Sequence, residues 1–170
     1  LFGWRKTCLF IPCAITVFIA VPQPSGLESS LIHGLTSWIV DLSVLMTRLI
    51  GIPVTSSGET IFANGIHLQV SEGCSGIRSF QSSVFAAFVI GEFLRLTVGS
   101  RLLVVICGLA TAFALNWARV MYLVQYAASN PGNDIQKVHD ISGYFSLGIT
   151  FAIIFLVSSW IKRLEEKFLA

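Results

Sequence analysis

Cys74 is the side chain in this sequence best suited to covalent chemistry. It lies in the segment EGCSGIRS, residues 72–79, where a polar stretch with glycines ends and an apolar stretch begins. A helix start offers unpaired backbone N–H groups and the positive end of the helix dipole, and both favour a thiolate. The other cysteines, Cys8, Cys13 and Cys107, lie inside apolar runs and are interpreted as small buried side chains. Cys74 is therefore the candidate nucleophile.

Two later segments carry side chains that can assist such a nucleophile. Asn116 and Arg119 are three residues apart in the segment NWAR and share one face of a helix. His139 and Asp140 are adjacent and are followed by Gly143, where a missing side chain allows a close approach. A histidine can take the thiol proton, and an arginine, which stays charged, can stabilise an oxyanion.

Each of these residues also has a structural interpretation. Cys74 can be a packing residue, Arg119 can anchor a helix at the membrane surface, and His139 can be an ordinary loop histidine. Arg78 is either a second cation for the site or a structural partner of Glu72, and the structural role is preferred.

The composition is that of a membrane protein. Of the 170 residues, 54% are hydrophobic and only 12% are charged, and the mean hydropathy is +0.78. Soluble domains carry roughly 25% charged residues. The net charge of +2, without a basic run that contains aromatic residues, excludes a nucleic-acid-binding function. The cysteines and histidines show no zinc-ligand spacing, so no metal or other cofactor is expected.

The apolar segments predict an all-α membrane protein, a bundle of about four transmembrane helices. The expected spans are residues 4–21, 76–94, 102–126 and 141–161. The first of them is preceded by Arg5 and Lys6 and resembles a signal peptide, but its cleavage pattern is poor, which favours a retained helix. Glu92, near the end of the second span, is expected to pair with Arg95.

Residues 27–50 predict an amphipathic helix at the outer membrane surface. Leucines and Trp38 recur every three or four residues, and polar residues fill the other side: Glu28, His33, Thr36, Ser37, Asp41 and Arg48. If this helix crossed the membrane, Asp41 would lie near the centre at a cost of about 2.5–3.5 kcal/mol. His33 and His67 are interpreted as solvated.

Residues 52–70 predict a small β-hairpin. Asn64 and Gly65 separate two short β-prone runs, residues 60–63 and 66–70, and this dipeptide is a strong two-residue hairpin signal. A further strand is expected near residues 52–55. So small a sheet needs support from the amphipathic helix or from the bundle.

The basic residues predict which end of the bundle faces outward. Positive charges mark cytoplasmic helix ends, and they lie here at Arg5, Lys6, Arg95, Arg101, Lys162, Arg163 and Lys167. Arg119 follows Arg101 by about 27 Å of helix, so it reaches the outer leaflet. Cys74 and His139 lie at the same level, since one precedes an inward-running helix and the other is expected just before the last helix begins. Three chemically capable groups therefore share the outer face.

These segments resemble the exosortase/archaeosortase family of membrane transpeptidases. The resemblance rests on CSGIRS at residues 74–79, NWAR at residues 116–119, His139 with Gly143, and the hairpin before the cysteine, and it covers residues 50–160. It implies Cys74 as nucleophile, His139 as proton carrier and Arg119 as oxyanion stabiliser. It implies supporting or substrate-binding roles for Asn116, Arg78, Glu72, Ser75 and Gly143.

The resemblance also implies a function. It is the cleavage of a C-terminal, PEP-CTERM-like sorting signal on exported proteins at the extracytoplasmic face of the inner membrane. The substrate would carry a short motif, a transmembrane helix and a basic tail, and the bilayer would deliver it laterally. An acyl-thioester on Cys74 would pass to an amine acceptor or to water. Two alternatives remain open, a plain cysteine protease and a non-catalytic membrane scaffold or assembly subunit.

Relatives of this family usually carry further helices upstream. The chain begins at Leu1 without methionine, so we interpret it as an N-terminally truncated single membrane domain.

Overall fold

The structure is a computed structural model that describes residues 25–63, 66–70, 76–130 and 135–169. Its described part is mostly helical, with α1 (Ser25–Leu49), α2 (Ile77–Phe93), α3 (Val98–Ser129) and α4 (Ile135–Leu169). The remaining elements form a small sheet: β1 (Val54–Ser57), β2 (Thr60–Ala63) and β3 (Ile66–Gln69). The helix expected over residues 4–21 lies outside the described residues.

Two helices of the described part, α3 and α4, are long and apolar enough to cross a membrane. They have 32 and 35 residues, roughly 48 and 52 Å of helix. α2 has 17 residues, about 25 Å, which is short for a hydrocarbon core of ~30 Å. The structure therefore supports two of the four expected crossings.

α3 is the central helix of the bundle, and it packs closely where its residues are small. Val104, Gly108, Ala112 and Asn116 recur every four residues and are all buried. A Cβ atom on Gly108 would lie 3.2 Å from the Cδ1 atom of Ile154 on α4. Glycine at this position therefore lets α3 and α4 approach each other.

α3 begins four residues earlier than expected because Thr97 caps its N-terminus. The Thr97 hydroxyl accepts from the Ser100 backbone N–H at 3.4 Å. Glu165, near the end of α4, accepts hydrogen bonds from the Thr97 N–H at 3.1 Å and from its hydroxyl at 2.7 Å. The Ser100 hydroxyl donates to the same carboxylate oxygen at 2.6 Å. The end of α4 thus holds the start of α3.

Glu92 pairs with Arg101 rather than with Arg95, which corrects the expectation from sequence. Arg95 lies in the turn after α2 with a φ of 52°, in the left-handed region. Arg101 follows on the first turn of α3, and its Nε atom donates to the Leu96 carbonyl at 2.8 Å. Since α3 starts early, Arg101 is already helical and lies over the end of α2.

The expected hairpin is present as part of a three-stranded antiparallel sheet in the order β1-β2-β3. Ala63 of β2 pairs with Ile66 of β3, so two residues separate the strands, as the Asn-Gly signal requires. β1 begins two residues later than the expected strand and pairs with β2. The sheet contributes to a core with α1 and α3 that contains Ile39, Val40, Val44, Val54, Ile61, Val120, Leu123 and Val124.

α1 packs through a different face from the leucine face that its periodicity emphasises. Trp38 is 73% exposed and Leu49 is also exposed, whereas the buried residues include Ile32, Thr36, Ile39, Ser43 and Thr47. Thr36 was assigned to the polar side and is buried instead. Because threonine and serine are small, the sheet and α3 can lie close to this face. On the leucine face, Trp38, Leu45 and Leu49 are exposed, whereas Leu35 and Leu42 are half-buried.

We predict that Thr97→Ala lowers the free energy of unfolding by about 1–2 kcal/mol. The variant loses the N-cap acceptor of α3 and the hydroxyl that donates to Glu165. Thermal unfolding in detergent micelles measures the effect as a lower Tm. Thr97→Ser keeps the hydroxyl and is expected to unfold close to the wild-type Tm. Equal Tm values for the two variants would contradict this account of the cap.

Candidate active site

Arg119 and Asn116 lie one turn apart on the buried face of α3. Arg119 is 8% exposed and Asn116 is 2% exposed. A guanidinium stays charged in proteins, and a charge taken out of water must be compensated by hydrogen bonds or by other charges. Within a membrane bundle such a residue should face the interior or a wet cavity. Arg119 meets this requirement, because its side chain extends from α3 towards α4.

The guanidinium of Arg119 binds His139 at two atoms. Its Nη2 atom lies 2.6 Å from the His139 Nε2 atom and 3.3 Å from the His139 carbonyl oxygen. A guanidinium only donates hydrogen bonds, so Nε2 must be the acceptor. The imidazole in this arrangement is therefore neutral and carries its proton on Nδ1. The contact joins two of the three side chains to which the sequence assigned catalytic roles.

His139 lies within α4 rather than in the loop before it, which corrects the expected start of the last helix. α4 begins at Ile135, so His139 is its fifth residue and Gly143 follows one turn later. A Cβ atom on Gly143 would lie 3.2 Å from the Arg119 Nη2 atom and 3.3 Å from its Cζ atom. The group that comes close to Gly143 is therefore the Arg119 side chain, which lies across the surface of α4.

Gly76, at the start of α2, packs closely against Asn116 of α3. It is the N-cap residue of α2 and has a φ of 81°, a left-handed conformation that favours glycine. A Cβ atom on Gly76 would lie 2.7 Å from the Asn116 Nδ2 atom. Gly76 was not among the predicted site residues, although its place two positions after Cys74 in CSGIRS is visible in the sequence. The chain that follows the cysteine is thus held against α3.

A small polar cavity of about 210 Å³ opens between α2, α3 and α4. Arg78 and Arg119 both contribute to its wall, and so does Asp140. The complete lining is Arg78, Ser79, Ser82, Arg119, Asp140, Gly143, Tyr144 and Leu147. Two guanidinium groups make this cavity suitable for a carbonyl oxygen that develops negative charge. Arg78 therefore borders the same cavity as Arg119.

Asp140 is a feature of this region that sequence analysis left without a role. Its Oδ1 atom lies 2.9 Å from the His139 Nδ1 atom and accepts a hydrogen bond from the Gln136 Nε2 atom at 3.0 Å. The adjacent His-Asp pair was visible in the sequence, but the pattern alone does not tell which ring nitrogen faces the carboxylate.

Three of the predicted residues, Cys74, Glu72 and Ser75, lie outside the described residues. The structure brings Arg119 together with His139 and Gly143, and Asn116 lies one turn from Arg119 against Gly76. Arg78 contributes to the same cavity as Arg119.

The family model that matches this chain is that of the transmembrane exosortases, and it matches residues 1–156. The chain belongs to the transmembrane exosortase family. No curated protein and no solved structure matches it. Family membership and the two long apolar helices together establish that this exosortase is a membrane protein.

On the other side of Arg119 the exosortase has an apolar groove of about 520 Å³ between α3 and α4. Its wall includes exposed aromatic side chains, Tyr122 and Phe145, together with Ser142 and Ser146. The two serine hydroxyls donate to the carbonyls of His139 and Ser142, at 2.9 and 2.8 Å. Because these hydroxyls are satisfied by the backbone of α4, they add little polarity to the groove. Arg119 thus lies between a polar cavity and an apolar surface.

We predict that Gly76→Ala destabilises the exosortase more than Gly51→Ala does. Both glycines have a positive φ, 81° and 91°, so an alanine at either position is strained by about 1–2 kcal/mol. Only at Gly76 does the added Cβ also meet Asn116, since Gly51 has open space around it. Thermal unfolding in detergent micelles should therefore give a lower Tm for Gly76→Ala. An equal loss of Tm would show that Asn116 does not restrain Gly76.

Proposed function

We propose that this exosortase is a cysteine transpeptidase that cleaves a C-terminal sorting signal of exported proteins through an acyl-thioester on Cys74. The observation that carries the proposal is the part-buried contact between Arg119 and His139 beside a polar cavity. Gly76, which packs against Asn116, supports it, because only one residue of chain separates Gly76 from Cys74.

The proposed reaction begins with the Cys74 thiolate. Its sulfur attacks the carbonyl carbon of the scissile peptide bond, and the C–S bond forms while the carbonyl electrons move to the oxygen. Arg119 stabilises this oxyanion by donating hydrogen bonds. The C–N bond then breaks, and the leaving amine takes the proton that His139 received from the thiol. An amine or a water molecule attacks the thioester and releases Cys74.

The contact between Arg119 and His139 requires these steps to occur in a particular order. The lone pair of Nε2 is occupied while Arg119 donates to it. To accept the thiol proton at Nε2, His139 must exchange Arg119 for the thiol. A substrate carbonyl that draws the guanidinium towards the cavity would free Nε2 at that moment. Substrate binding and activation of the thiol are thereby coupled.

The proposed partners follow from the family. They are exported proteins that carry a C-terminal, PEP-CTERM-like transmembrane signal, which reaches the site laterally through the bilayer of the inner membrane. The apolar groove beside Arg119 supports a lipid-side approach to the site. The site would face the extracytoplasmic side. Transfer to water instead of an amine would make the same chemistry that of a plain cysteine protease.

The alternative is a non-catalytic membrane scaffold or assembly subunit. The observation that favours it is that the Arg119–His139 contact also joins α3 to α4, as a purely structural pair would. Activity of cysteine variants separates the two functions.

We predict that Cys74→Ala abolishes processing of the sorting signal, because the variant has no nucleophile. Processing is followed in cells as the change in size of an exported protein that carries such a signal. Cys107→Ala is the matched control, since Cys107 lies on α3 among apolar residues, and it is expected to process normally. Both variants should reach the membrane in equal amounts. Normal processing by Cys74→Ala would favour the scaffold.

We also predict that a membrane-impermeant maleimide added outside intact cells or spheroplasts labels Cys74, and does so faster than an ordinary thiol at pH 7. The reason is that a thiol at a helix start near cations has a larger thiolate fraction. Loss of the label in Cys74→Ala assigns the signal. Labelling of Cys74 only after the cytoplasmic side is made accessible would overturn the proposed orientation.

A further inference from the structure

We propose that Asp140 is a positioning residue for His139: its carboxylate holds the ring proton on Nδ1 and so keeps Nε2 as the basic atom that faces Arg119 and the cavity. The proposal rests on the function proposed above and assigns a role to a residue outside the Cys74, Arg119 and His139 set.

A chain of hydrogen bonds supports this role. The Gln136 amide donates to the Asp140 Oδ1 atom at 3.0 Å, and the same oxygen lies 2.9 Å from the His139 Nδ1 atom. The Nε2 atom, on the other side of the ring, lies 2.6 Å from the Arg119 Nη2 atom. Because Arg119 can only donate and an ionised carboxylate can only accept, both neighbours favour the same tautomer.

Asp140 becomes decisive when Arg119 moves to the substrate. While Arg119 donates to Nε2, either neighbour alone selects the tautomer with its proton on Nδ1. Once the guanidinium binds the substrate carbonyl, the carboxylate of Asp140 still accepts from Nδ1. It thereby keeps the Nε2 lone pair available for the thiol proton. A carboxylate hydrogen-bonded to Nδ1 also stabilises the imidazolium that forms when His139 takes that proton.

The Asp140 carboxylate also offsets the positive charges around His139. Arg119 from α3 and Arg78 from α2 line the cavity that Asp140 also lines. Both cations oppose a positive charge on His139, and the Asp140 carboxylate offsets them. The Asp140 side chain is 54% exposed, so water screens part of this effect. We therefore expect a smaller contribution than that of a fully buried carboxylate.

Nitrogen NMR of the ring tests the positioning role without any substrate. The full chain, labelled with ¹⁵N-histidine and placed in lipid bilayers, contains three histidines, and the loss of one signal in His139→Gln assigns His139. We expect a protonated Nδ1 in the wild type and in Arg119→Ala, where Asp140 remains. We expect the double variant Arg119→Ala/Asp140→Ala to show a mixture of tautomers. A mixture already in Arg119→Ala would overturn the proposal.

Processing of the sorting signal gives the second measurement. Asp140→Ala is expected to slow the initial rate of processing about tenfold, which is less than the roughly 10²–10⁴-fold that a general acid–base group itself contributes, because Asp140 acts only through His139. Asp140→Asn, which keeps an oxygen that can accept from Nδ1, is expected to retain more activity. Asp41→Ala removes an exposed carboxylate on α1 and serves as the control, with an unchanged rate.

The two proposals fail in different ways. If Cys74→Ala still processes the signal, the proposed function is wrong, while the tautomer measurement stands by itself. If Cys74→Ala is inactive but Asp140→Ala processes the signal at the wild-type rate, the role of Asp140 alone is wrong.

Discussion

Burial of the Arg119 guanidinium is the constraint on which the arrangement of this bundle depends. A permanent charge in the interior of a membrane protein must be met by hydrogen-bond acceptors or must face a wet cavity, since lipid supplies no acceptors there. α4 meets it with the His139 ring nitrogen and carbonyl oxygen, and with Gly143, which leaves room for the side chain. A displacement of α4 by one residue would turn these groups away. The charge thus selects the register in which α3 and α4 pack.

The polar residues of α3 are placed between two separate apolar cores. Towards the sheet, its Val120, Leu123 and Val124 pack with α1 and the strands. Towards the other end, Val104 packs with residues of α2 and α4. Asn116 and Arg119 lie between these two regions, and α4 contributes to both of them, with Val138 on one side and Ile154 on the other. Such support lets a helical bundle hold polar groups in a defined geometry, because the packing of the cores offsets the free energy of desolvating those groups.

The same contact that satisfies the charge has consequences for the proposed chemistry. An imidazole whose Nε2 atom accepts from Arg119 is neutral and oriented, but its lone pair is occupied. A catalytic role for both side chains therefore requires them to separate when substrate arrives, and the cavity shared by Arg78 and Arg119 offers the guanidinium another position. Asp140 is the group that can preserve the ring's tautomer through this exchange. In this proposal the Arg119–His139 hydrogen bond belongs to the substrate-free enzyme, and the reactive geometry forms when substrate breaks it.

Local sequence patterns were sufficient for the membrane class, two of the four predicted spans, the Asn-Gly hairpin and the family, because each depends on composition or on residues close together in the chain. The partner of Glu92, the buried face of α1 and the start of α4 depend on contacts between elements distant in sequence. Periodicity identifies an amphipathic helix but does not say which of its faces packs, and Thr36 was assigned to the wrong side for this reason. The tertiary structure also decided which nitrogen of His139 faces Arg119 and which faces Asp140. A sequence names the ring and its neighbours, but only the packing of α3 against α4 determines how the ring is turned.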